Sequence, residues 1–320
     1  MLYYPISIII YTASGIVFLA IIYFLFCYLL SNTILYLNRQ PVPKNPKDYG
    51  LEFEDVEFKT SDDVNIKGWL IPGTIPKLIM MTHVGGLTKY GSTTEYKSIS
   101  KLYNKEIEFI ETAKHLHNRG YWVLMFDFRN HGESGTSPDG GKTGVGLEEY
   151  KDVIAALNFV KNRESMKGFG IGFVSFCMGA NSTIIAMSKE PEAFSKVKCI
   201  MAVQPISMEV FVRKYAKTLF KSFGLKIIFP MVKRFVNLRS KHPLEKMSPY
   251  EYVKDLKVPI LYVQARNDPW TELEDIQSFY DNSPEPKEFY WIENTKHRFE
   301  SYSYFQKNPE KMLEWLEGWM

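Results

Sequence analysis

From Met1 to Asn38 the chain carries no Asp, Glu, Lys or Arg, and its first charged side chain is Arg39. An uncharged run of that length has few destinations. As a helix over residues 6–30 it rises about 1.5 Å per residue to about 37 Å, enough to cross about 30 Å of hydrocarbon with some tilt. A cleaved secretory signal fits less well, because the run is too long, no basic region precedes it and no small-x-small site follows it. The expectation is an uncleaved single-pass anchor over residues 1–38; the alternative is an apolar helix docked on the domain that follows. Tyr3, Tyr4 and Tyr36 suit the two interfaces, and Arg39, Lys44 and Lys47 place the rest of the chain on the cytoplasmic side of its membrane.

The remainder is ordinary globular sequence. In a chain of 320 residues with 45% hydrophobic and 23% charged residues there is enough apolar material for a full core, which excludes disorder. A net charge of +3 argues against a nucleic-acid partner. Cys27, Cys177 and Cys199 do not make a disulfide framework. Residues 39–50, with Pro41, Pro43 and Pro46, read as a short stiff linker, and residues 51–320 as one domain.

Residues 56–60 and 64–70 alternate apolar and polar side chains around Ser61-Asp62-Asp63, which predicts an antiparallel hairpin at a sheet edge. Thereafter short apolar runs at 78–83, 122–128, 169–176, 198–203 and 260–265 predict buried strands, with a further strand at 287–292. Helical patterns at 101–118, 148–162, 178–189, 271–280 and 303–319 separate or follow them. Such alternation predicts an α/β fold with a mostly parallel sheet covered on both faces. The extra stretch at 206–250 would form a helical cap over the carboxyl ends of the strands, the edge at which open parallel sheets bind ligands.

Chemistry concentrates at those strand ends. The segment Ser175-Phe-Cys-Met-Gly179 runs a strand into a helix through a turn so tight that the positions two before and two after the nucleophile must be small, which selects Cys177. At a helix N-terminus, free N–H groups and the helix dipole favour a thiolate. The plain alternative is an inert core cysteine. Asp268 follows one predicted strand and His297 the last one, so nucleophile, acid and histidine occur in the order this scaffold uses. His297 would take the Cys177 proton and Asp268 would orient the imidazole. After the strand at 78–83, His83-Val-Gly-Gly86 would turn backbone N–H groups inward, Gly85 with Met178 forming the oxyanion hole. The charges of Asp127-Phe-Arg-Asn-His-Gly-Glu-Ser134 read as a network that shapes a loop. No zinc spacing, P-loop or GxGxxG placement occurs, so no cofactor or metal is assigned.

On Thr82-His-Val-Gly-Gly86, Phe126-Asp-Phe-Arg-Asn-His-Gly-Glu-Ser134, Ser175-Phe-Cys-Met-Gly179, Asp268 and His297, the sequence from about Val56 onward resembles the α/β-hydrolase superfamily. It looks most similar to the serine-aminopeptidase-like and monoglyceride-lipase-like branch. The resemblance implies an esterase, lipase or thioesterase. It departs from that branch in having Cys177 for the usual Ser, although dienelactone hydrolases and polyhydroxyalkanoate synthases of the same fold use Cys, and in having Val84 after His83.

Between residues 206 and 250 the cap carries ten Lys and Arg against Glu209 and Glu245, ten minus two giving +8, interleaved with aromatic and aliphatic residues. That is the composition of a basic amphipathic lid facing anionic lipid. Together these features predict a membrane-anchored enzyme that cleaves an ester or thioester of a lipid or acyl substrate through an acyl-Cys177. The alternatives are an acyltransferase using the same cysteine and a non-catalytic membrane adaptor that keeps the fold.

Overall fold

In the computed structural model, which describes residues 3–94, 105–295 and 297–320, the uncharged N-terminal run forms one helix, α1 (Tyr3–Leu35). Within it Ser7–Leu35, which holds an 18-residue window of mean hydropathy 2.4, is long and apolar enough to cross a membrane. Its two ends differ. Residues such as Ile9, Phe18 and Leu25 are exposed, whereas Cys27, Ser31, Ile34 and Leu35 are buried. The exposed stretch from Ile8 to Leu25 would span about 27 Å at helical rise, close to a hydrocarbon thickness.

Among the described residues the domain is built on an eight-stranded sheet in the order β1-β2-β6-β3-β7-β8-β9-β10. The edge hairpin is β1 (Glu54–Lys59) and β2 (Asn65–Ile71), and β2 runs antiparallel to β6 (Trp122–Phe126). From β6 onward every neighbour is parallel: β3 (Lys77–Thr82), β7 (Gly170–Phe176), β8 (Val197–Val203), β9 (Ile260–Ala265) and β10 (Lys287–Ile292). The central strands are buried along nearly their whole length, as expected of apolar runs covered on both faces. The covering helices include α2 (Phe109–Asn118), α3 (Tyr150–Asn162), α4 (Met178–Lys189) and α7 (Leu273–Asn282). This is the α/β-hydrolase fold.

Three expected elements differ. Residues 101–104 of the expected helix at 101–118 lie outside the described residues, and Ile107–Glu108 forms a strand, β5, paired with β4 (Gly91–Ser92), so that helix starts only at Phe109. The single helix expected at 303–319 breaks into α9 (Tyr304–Lys307) and α10 (Glu310–Trp319), because Pro309 has no N–H with which to continue the first. Nor does the stretch after α1 hang free as a linker. Arg39 donates to the carbonyl oxygens of Gly132 and Ser134, Gln40 donates to that of Gly86 at 2.8 Å, and Pro46–Tyr49 forms a capped turn of helix.

The cap consists of α5 (Met208–Phe223), a π-turn at Gly224–Ile228 and α6 (Phe229–Arg239). The lower end of α1 docks on it. Tyr23 Oη donates to the Ile227 carbonyl at 2.8 Å, and Phe26 and Tyr28 meet Phe220 and Phe235 edge to face. Arg239 completes the joint, its guanidinium on Ser31 Oγ at 2.6 Å and Asn32 Oδ1 at 2.5 Å and 4.1 Å above the Tyr28 ring. The docked-helix reading thus holds for the lower end of α1, while the exposed end has the length and hydropathy of a membrane span. Charged hydrogen bonds of this kind contribute about 1.5–3 kcal/mol, so Arg239→Ala should speed amide hydrogen exchange in residues 23–35 and 224–239 together by about tenfold or more. An effect confined to one of the two segments would contradict the joint.

Candidate active site

Strand β7 ends at Phe176 and α4 begins at Met178, leaving Cys177 to reverse the chain at φ 52° and ψ −112°. Positive φ in a residue with a side chain costs on the order of 1–3 kcal/mol and persists only where surrounding bonds enforce it. Here the Cys177 N–H donates to the Val203 carbonyl at 2.8 Å, and its own carbonyl accepts from Asn181 at 3.0 Å. Gly179 then passes beneath β3 so closely that an added Cβ would lie 2.6 Å from Thr82 Oγ1 and 2.8 Å from the His83 carbonyl oxygen. On the other side, Ser175 Oγ bonds Thr183 Oγ1 at 3.0 Å within the core. The absence of a side chain at Gly179 is therefore a steric requirement of the turn.

Cys177 is 7% exposed and lines a pocket of about 60 Å³. Gly85 and Met178 line the same pocket. Met178 is the first residue of its helix, whose N–H has no intrahelical acceptor. Among the described residues, neither its N–H nor that of Gly85 is taken by another group, so both are available to a developing oxyanion. Apart from Arg298 and Tyr302, the remaining walls are apolar, among them Val145, Ile206, Met208 and Phe211, with Leu37 from the segment that follows α1. The N-terminal segment thus contributes to the pocket, a role that sequence order gave no means of seeing.

Two buried histidines brace the loop that carries Gly85. The His83 Nδ1–H donates to the Val84 carbonyl at 2.8 Å while its Nε2 accepts from Phe128 N–H at 3.0 Å. The His131 Nδ1–H donates to the Arg129 carbonyl at 2.7 Å while its Nε2 accepts from Gly86 N–H at 2.9 Å. Each ring is held neutral by what its nitrogens face, since a proton on Nε2 would meet a donor. Burial lowers both imidazoles, His83 to about 3. The rest of the Asp127–Ser134 stretch forms the expected network. Lys89 Nζ pairs with Asp127 at 2.6 Å, both fully buried, and Arg129 bridges Asp152 and Asp62.

The expected relay from Asp268 through His297 to Cys177 is not assembled in this geometry. His297 stands at the N-cap of α8 (Arg298–Tyr302), its Nδ1 accepting from Phe299 N–H at 3.2 Å and its ring edge-on to Trp270. With Nδ1 as acceptor, the neutral ring carries its proton on Nε2, the reverse of the tautomer a general base requires. Burial lowers the imidazole below its ordinary value, and Lys105 adds to the effect. The place between acid and nucleophile is taken by the next residue. Arg298 donates through Nη1 to Asp268 Oδ2 at 2.5 Å, and its Nη2 lies 3.7 Å from Cys177 Sγ. Two further bonds, from Nη2 to the Gln204 carbonyl at 2.7 Å and from Nε to Tyr302 Oη at 2.6 Å, complete its setting. Asp268 Oδ1 accepts from Trp270 N–H at 3.0 Å. The adjacency of His297 and Arg298 was visible in the sequence; which of the two side chains turns inward depends on the backbone entering α8.

The lowered histidines set an acid limit. A group whose folded value is depressed contributes stability above its unfolded value, about 6.5 for His, and loses it as pH falls toward the folded one. The unfolding midpoint should therefore fall as pH drops from about 6.5 toward 3, and His83→Gln, whose amide can give and accept the same two bonds without titrating, should flatten that fall. An unchanged slope in the variant would contradict the assignment.

Comparison with known proteins agrees with this architecture. The sequence model of the prolyl oligopeptidase family (Peptidase_S9) matches residues 107–320. That is a different family from the serine-aminopeptidase-like branch that the motifs resemble. The chain is 25% identical over 194 residues to the Bacillus subtilis protein YqkD, covering 59% of this chain and 60% of that protein. It is 23% identical over 292 residues to the acyltransferase drtE of Aspergillus calidoustus, covering 77% of this chain and 88% of drtE. Among solved structures it is similar to the Pyrococcus furiosus esterase Pf2001, at a TM-score of 0.68 and 25% identity, covering 90% of this chain and 98% of that one. The α/β hydrolase GrgF from Penicillium shares the fold at a TM-score of 0.56 and 17% identity, covering 84% of this chain and 99% of its own. With the family match spanning two thirds of its length, including β6 to β10 and the elbow at Cys177, the chain belongs to the prolyl oligopeptidase family of α/β hydrolases.

Proposed function

We propose that the protein acts on a carboxylic ester or thioester through an acyl-enzyme on Cys177, with the N–H groups of Gly85 and Met178 holding the oxyanion. The observation that carries this reading is the strained turn at Cys177, which sets its sulfur and the Met178 N–H beside a pocket that Gly85 also lines. The thiolate attacks the acyl carbon, the bond to the donor oxygen or sulfur breaks as that atom takes a proton from water, and a second water then releases the acid and returns the thiolate. Asp268 serves this site through Arg298, and His297 takes part in the second step once it leaves its cap. A thiolate is a better leaving group than an alkoxide, which suits activated acyl donors more than amides. Similarity to the acyltransferase drtE supports a second reading, in which the acyl group passes to an acceptor other than water.

The substrate we infer is an acyl lipid. The apolar pocket and the docking of α1 on the cap support this. So does the cap surface, where Leu219, Phe223 and Ile227 are exposed beside Lys217, Lys221 and Lys226. With α1 across a bilayer and the domain on its cytoplasmic side, this face would lie on the lipid headgroups. A pocket of about 60 Å³ is too small for an acyl chain, so the cap must shift for substrate to enter.

The full chain, in detergent and in phosphatidylglycerol-containing vesicles, is to be incubated with p-nitrophenyl esters, acyl thioesters and, as a peptidase control, aminoacyl p-nitroanilides. Intact mass should show an acyl adduct that clears with product, and Cys177→Ala should remove the adduct and lower turnover by about 10³-fold or more. His297→Ala should keep the adduct and slow its clearance. Free acid as product selects hydrolysis, and a new ester or amide selects transfer. Full turnover in Cys177→Ala, or cleavage of anilides alone, would sink the proposal.

A further inference from the structure

The polar side chain that meets the Cys177 sulfur from the acid side of the site is a guanidinium and not an imidazole. Arg298 is 1% exposed, and its donors are committed to four partners on three sides: Tyr302 on its own helix, Asp268 after β9, and the Gln204 carbonyl after β8 together with Cys177. A side chain held in this way does not swing. Burial opposes its charge, yet Tyr302, Asp268 and Cys177 raise its affinity for the proton above the ordinary value, so it stays a cation. Tyr302 is itself buried, is raised far above its ordinary value chiefly by that burial, and lines the same pocket as Cys177.

A guanidinium cannot give up its proton at any working pH, so it cannot act as a base. What it can do is hold negative charge. We propose that Arg298 pairs with Cys177 as a thiolate in the resting protein, so that the nucleophile is charged before a donor arrives and its formation does not depend on His297. The thiol proton passes to solvent, and the sulfur anion lies between the guanidinium, the Tyr302 hydroxyl and the N-terminus of α4. The inference rests on Cys177 as the nucleophile and assigns Arg298 as a further catalytic residue. Among the titratable groups around the sulfur, Arg298 and Tyr302 come from α8 and Asp268 stands behind Arg298. The walls from the cap, from Leu37 and from Gly85 present apolar side chains or backbone. Asp268 therefore opposes the thiolate, because it shares the guanidinium charge with the sulfur.

This opposition separates the proposal from a histidine relay by sign. The full-length protein in detergent is to be alkylated with iodoacetamide from pH 5 to 9, and peptide mass spectrometry is to follow Cys177 apart from Cys27 and Cys199. In the unmodified protein Cys177 should already react near its plateau rate at pH 6. Arg298→Met should lower the pH 6 rate by about tenfold or more, since each unit by which the half-titration point moves changes the thiolate fraction tenfold. Asp268→Asn should move the profile to lower pH, and His297→Ala should leave it within about twofold. A relay predicts that Asp268→Asn and His297→Ala both move the profile to higher pH, which would overturn the assignment, as would an ordinary thiol profile in the unmodified protein. Should circular dichroism show Arg298→Met to be unfolded, the other two variants decide. No acyl donor is used, so a Cys177 that titrates as stated but takes no acyl group overturns the proposed function and not this pairing.

Discussion

The backbone of Cys177 is the constraint on which the site depends. A side-chain-bearing residue at φ 52° is held there by one bond from each flank and by the close passage of Gly179 under β3. The same turn leaves the first N–H of α4 unpaired and brings it to the pocket beside Gly85. The position of the sulfur and that of the free N–H beside it are therefore consequences of one local conformation. The rest of the fold supplies its rigidity: β7 is paired in parallel on both sides, to β3 and to β8.

Around that turn the domain buries charge in pairs and triples. Lys89 with Asp127, Arg129 with Asp152 and Arg298 with Asp268 are all nearly or fully removed from solvent. Buried pairs of this kind add little net stability, but removing one partner is costly because it strands the other. Their effect here is to fix loops at the carboxyl edge of the sheet, where apolar packing alone is least able to do so. The first two shape the loop after β6. The third differs in lying against the Cys177 sulfur.

The N-terminal helix belongs to the same argument. Its exposed part has the length of a hydrocarbon core, while its lower turns, held by Arg239 and Tyr23, become a third helix against the cap. The chain then crosses the site, with Leu37 in the pocket and Arg39 and Gln40 on the loops after β6 and β3. A cap tied in this way to a helix able to cross a membrane couples any opening of the pocket to movement against that helix.

The sequence by itself determined the elements whose cause is local. The long uncharged run, the alternating edge hairpin, the apolar central strands and the elbow around Cys177 follow from period, length and the small residues a tight turn demands. Even the boundary errors were local, since Pro309 was present to be read and the short β4–β5 pairing had only two residues a strand to betray it. What only the tertiary structure decided were side-chain directions and long-range contacts: that Arg298, not His297, fills the space beside Asp268, that His83 and His131 brace the Gly85 loop, and that Leu37 reaches the pocket. Neighbouring residues in a chain point to different sides, and which side faces the core is set by how the backbone enters a helix, a property of the packed whole that spacing along the sequence does not encode.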